Sequence, residues 1–256
     1  MSTDFLIIER IFTLKVSVCI PMYNEASVIA ENAKRLWEYM ESNFVTENGE
    51  RDYEIIYSND GSTDGCDKIV KDLALPGIKV VGYENNKGKG CAVRTAMLAS
   101  SGDIAMFTDA DLAYGTDVIS AMVDTFDKNP QSHLVIGSRN LAEDGYANYT
   151  FIRKLASKTY IKVLSIVGGF KLSDSQCGCK GFRREAVDKI FPRMEVNSFA
   201  FDFEALFWAN KFNMKITEMP VSVLVHGESK VHIVRDTVKM LRDILKMKKR
   251  INKTKI

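Results

Sequence analysis

Histidine is nearly absent from this chain: three residues in 256. Cysteine is sparse and odd in number, at Cys19, Cys66, Cys91, Cys177 and Cys179. Cys177 and Cys179 form a C-x-C pair, but no histidine is near them in sequence, so a zinc centre is not expected. An odd, scattered set also argues against a disulfide framework and fits buried, reduced thiols in a cytosolic protein. No run of 18 apolar residues occurs, so no transmembrane helix is expected. The first fourteen residues contain Asp4 and Glu9 and lack the basic start and apolar run of a signal peptide. A net charge of +2 is too small to call for nucleic acid as a partner. There is no internal repeat and no low-complexity linker.

What remains is ordinary globular composition, 46% hydrophobic and 27% charged, in a length that suits one large α/β domain. Charge is uneven along it. Residues 229–256 hold ten Lys/Arg and two Asp/Glu, a net of +8, on a body of net −6. The expected division is a domain over 1–228 and a basic helix over 229–256.

Strands and helices alternate from the start. Apolar runs predict strands at 15–20, 53–58, 78–83, 103–109 and 133–138, with Pro21 stopping the first. Helical spacing predicts helices at 25–43, 63–74, 89–100 and 116–128. This order predicts a doubly wound, mostly parallel sheet whose strand C-termini share one ligand-binding edge. The second half is less regular: a helix at 150–167, turn and strand character at 172–181, an aromatic-rich helix at 201–212, a strand at 215–225 and a long helix from 229 to about 251.

Four polar motifs fall just after predicted strands. In PMYNE, residues 21–25, Asn24 reads either as a helix cap or as a site amide. In SNDGSTD, residues 58–64, Gly61 permits a tight turn and Asp60 is left as a strand-tip carboxylate able to accept from a base N–H. In NNKGKGCAVRTA, residues 85–96, two glycines open a helix beside Lys87, Lys89 and Arg94, which suits a diphosphate; the Walker A spacing is absent. In TDADL, residues 108–112, Asp109 and Asp111 would share a face of an extended strand. Ionised carboxylates so placed repel unless a cation lies between them, and a hard divalent ion would also bridge diphosphate oxygens.

This ordered set, with GSR, DSQCGCKGF and SKV further on, resembles family 2 glycosyltransferases of the GT-A fold, and within them the branch acting on polyprenyl phosphates. The likeness spans roughly residues 16–244. It implies a Rossmann-like nucleotide-binding domain and an inverting hexosyl transfer dependent on Mg²⁺ or Mn²⁺. The donor would be a UDP- or GDP-hexose, with UDP-glucose favoured, and the acceptor a polyprenyl or dolichyl phosphate. By the same resemblance Pro21, Tyr23 and Glu25 line the nucleotide pocket, Asp60 holds the base, and Lys87 and Lys89 flank the nucleotide. Asp109 and Asp111, with the intervening Ala110, form the metal-diphosphate turn. Arg139 faces the acceptor phosphate, joined by Arg153 and Ser157, which are four apart on one helical face. Asp174 and Gln176 line the sugar, and Asp202 and Glu204 form a carboxylate pair near it. Mannose-transferring relatives often carry a metal-binding Gln where this chain has Ala113, which favours glucose.

The basic tail admits two readings. Val231, Val234, Val238, Leu241 and Leu245, with nearby Met240 and Ile244, form an apolar stripe that either lies on an anionic membrane or packs on the body. The first predicts a peripheral protein on the cytoplasmic face of a membrane; a membrane-protein partner or a homo-oligomer could also hold it there. Other functions stay open at this stage. They are a family 2 enzyme with a carbohydrate acceptor in polysaccharide or wall-polymer synthesis, a nucleotidyltransferase, or a non-catalytic sugar-nucleotide binder.

Overall fold

The computed structural model describes residues 14–145, 171–224 and 233–254. The helix expected at 150–167, with Arg153 and Ser157, and the SKV motif lie outside them.

The first half alternates as expected. β1 (Val16–Met22) leads to α1 (Ile29–Asn43), β2 (Tyr53–Asp60) to α2 (Cys66–Asp72), β3 (Ile78–Tyr83) to α3 (Lys89–Ala99), and β4 (Ile104–Phe107) to α4 (Val118–Lys128). After β5 (Leu134–Ser138) come β6 (Lys180–Arg183), α5 (Arg184–Ile190), α6 (Phe201–Lys211), β7 (Ile216–Pro220) and α7 (Ile233–Lys253). The seven strands form one sheet in the order β3-β2-β1-β4-β6-β5-β7. β6 runs antiparallel to both β4 and β5; every other pairing is parallel. The strand order reverses between β1 and β4, which makes the crevice beyond their C-termini the natural ligand position in such a sheet.

Pro21 does not stop β1, contrary to expectation. It pairs with Ser58 of β2 inside the strand. Alternate residues of β1 bond to opposite neighbours, and Cys19 accepts from Thr108 on the β4 side. Pro21 has the same parity, so its missing N–H falls beyond the end of β4, where no ladder bond is lost.

Apolar side chains cover both faces. Val16, Val18 and Ile20 pack with α1, α2 and α4, while Cys19, Ile56 and Phe107 pack with α3, α5 and α6. All five cysteines are buried and unbridged. α5 follows β6 without a break and was not legible beforehand, because seven residues carry too little periodicity. From residue 243 onward the buried positions of α7 are Ile244 of the expected stripe, Met247 and Ile251, within the same apolar cluster as Trp208 of α6, whereas Leu245 of that stripe is exposed. Over residues 243–254 the helix therefore packs on the body. No helix among the described residues is long and apolar enough to cross a membrane.

Candidate nucleotide-sugar site

The loops after β1 and β2 are stitched together. Asn24 adopts φ +54°, donates its N–H to Ser62 Oγ at 3.1 Å and accepts from the Thr63 N–H at 2.9 Å. Asp64 accepts from the Ala26 N–H at 2.7 Å. Asn24 is thus not the cap of α1, which begins five residues later. Pro21 lies half-buried in β1, and Tyr23, exposed, and Glu25, half-buried, follow its C-terminal end.

Asp60 ends β2, almost fully buried. It accepts from Tyr83 Oη at 2.6 Å, Asn86 Nδ2 at 3.0 Å, and the N–H groups of Lys87 and Gly88 at 2.9 and 3.0 Å. In this state it shapes the Gly-Lys loop through these bonds. Gly61 turns under the same loop: a Cβ there would sit 2.4 Å from the Asn86 nitrogen. Lys87 is exposed over the Tyr83 ring, and Lys89 opens α3 pointing inward.

Lys89 Nζ reaches Asp109 Oδ1 at 2.5 Å. Burial works against its charge, but Asp109, Asp202 and Asp111 outweigh it and hold its pKa above the ordinary lysine value. Asp109 and Asp111 do not lie on a strand, which is a correction. β4 ends at Phe107, and the Leu112 N–H bonds back to the Asp109 carbonyl at 3.0 Å with Leu112 at φ +50°. The carboxylates therefore belong to a turn at the strand tip. Asn32 Nδ2 donates to the Ala110 carbonyl at 3.0 Å, and Asp111 accepts from the Ala113 N–H at 3.0 Å. Burial, then the neighbouring Asp109 charge, push the Asp111 carboxyl above the usual range. A cation beside the pair would relieve that repulsion.

Among the described residues no three His, Cys, Asp or Glu side chains gather as a complete metal cage. Two hard carboxylates still fit Mg²⁺ or Mn²⁺, because such ions often take one or two protein carboxylates and complete their shell with substrate phosphates and water.

Beyond the turn lie the groups contributed by β5, β6 and α6. Arg139 is locked to Asp174: Nε to Oδ2 at 2.6 Å and Nη2 to Oδ1 at 2.9 Å, with Asp174 fully buried. Burial opposes the guanidinium charge, and Asp174 more than restores it. Asp174 is fully buried, while Arg139 and Gln176 are half-buried.

Asp202 and Glu204 are not brought together, a second correction. On α6 they project in different directions. Asp202 accepts from Lys180 Nζ at 2.6 Å. Glu204 accepts instead from the Glu195 and Val196 N–H groups at 3.0 and 2.7 Å, and from Arg250 of α7. Asp202 feels the charges of Lys89 and Asp109.

Two participants were missed. Lys180 is wholly buried in β6, and Gly178 lies against Asp109, where a Cβ would meet Oδ2 at 2.5 Å. A lysine among the small and aromatic residues of CGCKGF is itself a signal, since a buried cation needs a partner.

A doubly wound sheet with paired carboxylates, a lysine and a glycine-rich helix start at its switch point is the GT-A class of nucleotide-sugar fold. The model of the glycosyl transferase family 2 matches residues 17–191, and the chain belongs to that family. A dolichyl-phosphate beta-glucosyltransferase of Trichomonas vaginalis is 33% identical over 234 residues, covering 89% of this chain and 69% of that one. The dolichyl-phosphate beta-glucosyltransferase of Saccharomyces cerevisiae is 30% identical over 255 residues, covering 93% and 74%. In fold the chain is similar to the glucosyl-3-phosphoglycerate synthase of Mycobacterium tuberculosis solved with Mn²⁺, UDP and phosphoglyceric acid. The TM-score is 0.65 at 18% identity, covering 95% and 80% of the two chains.

Proposed function

We propose that this glycosyltransferase moves glucose, with inversion, from UDP-glucose to dolichyl or another polyprenyl phosphate. The observation that carries the donor half is the convergence of Lys89, Asp109 and Asp111 at the β1–β4 crevice, 2.5 Å separating Lys89 Nζ from Asp109 Oδ1. The acceptor half rests on the relatives named dolichyl-phosphate beta-glucosyltransferase.

Asp109 and Asp111 would hold Mg²⁺ or Mn²⁺, which supplies Lewis-acid stabilisation of the leaving diphosphate. Lys89 adds a fixed positive charge at the same place, where charge develops as the glycosidic bond breaks. The Gly-Lys loop, tied down by Asp60, offers its backbone to the nucleotide. A phosphate monoester has a second pKa of about 6 and is largely a dianion at neutral pH. The acceptor then needs positioning rather than a general base, a task assigned to Arg139, Arg153 and Ser157. Asp202, ion-paired with Lys180, is suited to hold a donor hydroxyl.

The terminal helix keeps a role at the membrane in this reading, but an electrostatic one. Ile244, Met247 and Ile251 face the body, leaving the exposed Lys246 and Lys253 for anionic headgroups at about 1 kcal/mol each. A cytoplasmic-face location is part of the same proposal.

The test is incorporation of labelled glucose into lipid by the purified chain with UDP-glucose, Mn²⁺ and dolichyl phosphate. Wild type should form a lipid-linked product, and Asp109→Asn should lose both Mn²⁺ affinity and transfer. Transfer to a soluble carbohydrate but not to lipid would overturn the acceptor assignment.

A further inference from the structure

The second carboxylate of α6, Glu204, has no access to the crevice, yet it is wholly buried and fully used. Its two oxygens accept from the Glu195 N–H, both at 3.0 Å, and one also accepts from Val196 at 2.7 Å. Arg250 of α7 closes this arrangement, donating through Nη2 to Glu204 and through Nη1 to Glu195. A buried carboxylate is costly unless it is paired and hydrogen-bonded, and Arg250 is the cation that pairs this one. Apolar packing does not replace it there. A cleft of about 360 Å³, walled by Val196, Asn197, Ser198, Lys246 and Met247, opens between the loop and the helix, and Arg250 borders it.

The loop so held rests on the donor site. The Gly90 N–H donates to the Asn197 carbonyl at 2.9 Å. Arg94 donates to the Met194 carbonyl at 2.6 Å and to Asn197 Oδ1 at 3.2 Å. A Cβ on Gly88 would lie 2.5 Å from the Asn197 oxygen, and one on Gly90 2.5 Å from the Val196 oxygen. Residues 194–198 therefore sit on the first turn of α3 with no slack. Between Gly88 and Gly90 is Lys89, whose ammonium meets Asp109.

We infer that Arg250 is a positioning residue of the donor site: by neutralising Glu204 it seats the 194–198 loop against α3, and so couples the basic terminal helix to the Gly-Lys loop. Anything that shifts the helix on the body is then felt at Lys89, including the membrane contact proposed for its lysines. The inference rests on reading residues 86–90 as part of a nucleotide site, so one arm of the test needs no ligand.

The full chain is compared with Arg250→Gln, Arg250→Lys and, as a control on the exposed side of the same helix, Lys249→Gln. Amide hydrogen exchange of the ligand-free proteins reads the coupling, and titration with UDP and Mn²⁺ reads the site. Arg250→Gln should speed exchange over 86–94 and 194–198 about tenfold, leave β1 and β2 protected, and weaken UDP about tenfold, as coupling of ordinary size would. Arg250→Lys should recover most of both, because it keeps the charge. Lys249→Gln should match wild type. Unchanged exchange over 86–94 in Arg250→Gln overturns the coupling, as does an equal effect from Lys249→Gln. Wild-type protein that binds no UDP removes the nucleotide reading, while exchange still decides the coupling by itself.

Discussion

Lys180 Nζ meets Asp202 Oδ1 at 2.6 Å, with no part of the lysine side chain open to solvent. The ammonium also donates to the Cys177 carbonyl at 2.5 Å and lies 5.7 Å from the centre of the Phe107 ring. Burial drives the Asp202 carboxyl upward, and Lys180 is the main group opposing it. The pair joins β6, the antiparallel strand, to α6.

The first prediction follows from breaking it. Lys180→Met strands a buried carboxylate and should cost about 3–5 kcal/mol, measured by denaturant unfolding at pH 7. Asp202 then rises further above its unfolded value. A carboxyl whose folded pKa is raised favours the folded state at low pH and loses that contribution as pH climbs through the window between the two values. The deficit of Lys180→Met should therefore shrink between pH 7 and pH 4. A deficit independent of pH would show that Asp202 is not the stranded charge.

A second pH dependence has the opposite sign. Glu54, nearly buried in β2, is pushed upward by burial, but Lys79 at 2.6 Å, the Ser101 N–H at 2.6 Å and Ser17 Oγ at 2.7 Å prevail and bring its pKa down to about 2. A depressed carboxyl stabilises the fold above its unfolded pKa, and that stabilisation disappears as pH falls from about 4.5 towards about 2. At 1.36 kcal/mol per unit it amounts to about 3 kcal/mol at neutral pH. Glu54→Gln should lower stability by that order and flatten the acid limb of the stability curve.

Gly178 makes a sharper test of the site. Its alanine Cβ would stand 2.5 Å from Asp109 Oδ2 and 3.3 Å from Cγ, so the carboxylate must turn away. Gly178→Ala should weaken Mn²⁺ binding about 10–100-fold, the range typical when groups that orient a metal ligand are lost. Its melting temperature should stay near wild type, since the disturbed group lies at the crevice. Calorimetric Mn²⁺ titration with UDP present decides it.

Arg139 and Asp174 are predicted to act as one unit. Asp174→Asn and Arg139→Met should each destabilise strongly, but their double mutant should fall short of the sum, giving a coupling of about 1.5–3 kcal/mol in an unfolding cycle. Additive losses would mean that the 2.6 and 2.9 Å contacts do not hold in solution.

The sequence alone determined the strands of the first half and the polar groups at their tips, because both are local. Apolar runs of four to eight residues, ended by Asn, Asp and Gly, write a parallel strand and its turn without outside help. Asp60, Lys89, Asp109 and Asp111 were placed on one edge by that logic, together with the motif order that marks the family. Tertiary structure decided what those residues touch. β6 enters antiparallel between β4 and β5, and only that insertion sets Lys180 beneath Asp202. Asp202 and Glu204, two residues apart, read as a pair on paper, but a helix turns them about 200° from one another. One therefore faces the crevice and the other Arg250. The apolar stripe of the last helix could be read, though not the surface that would take it. These choices depend on contacts between residues tens to more than a hundred positions apart, set by strand register and packing, which no local spacing encodes.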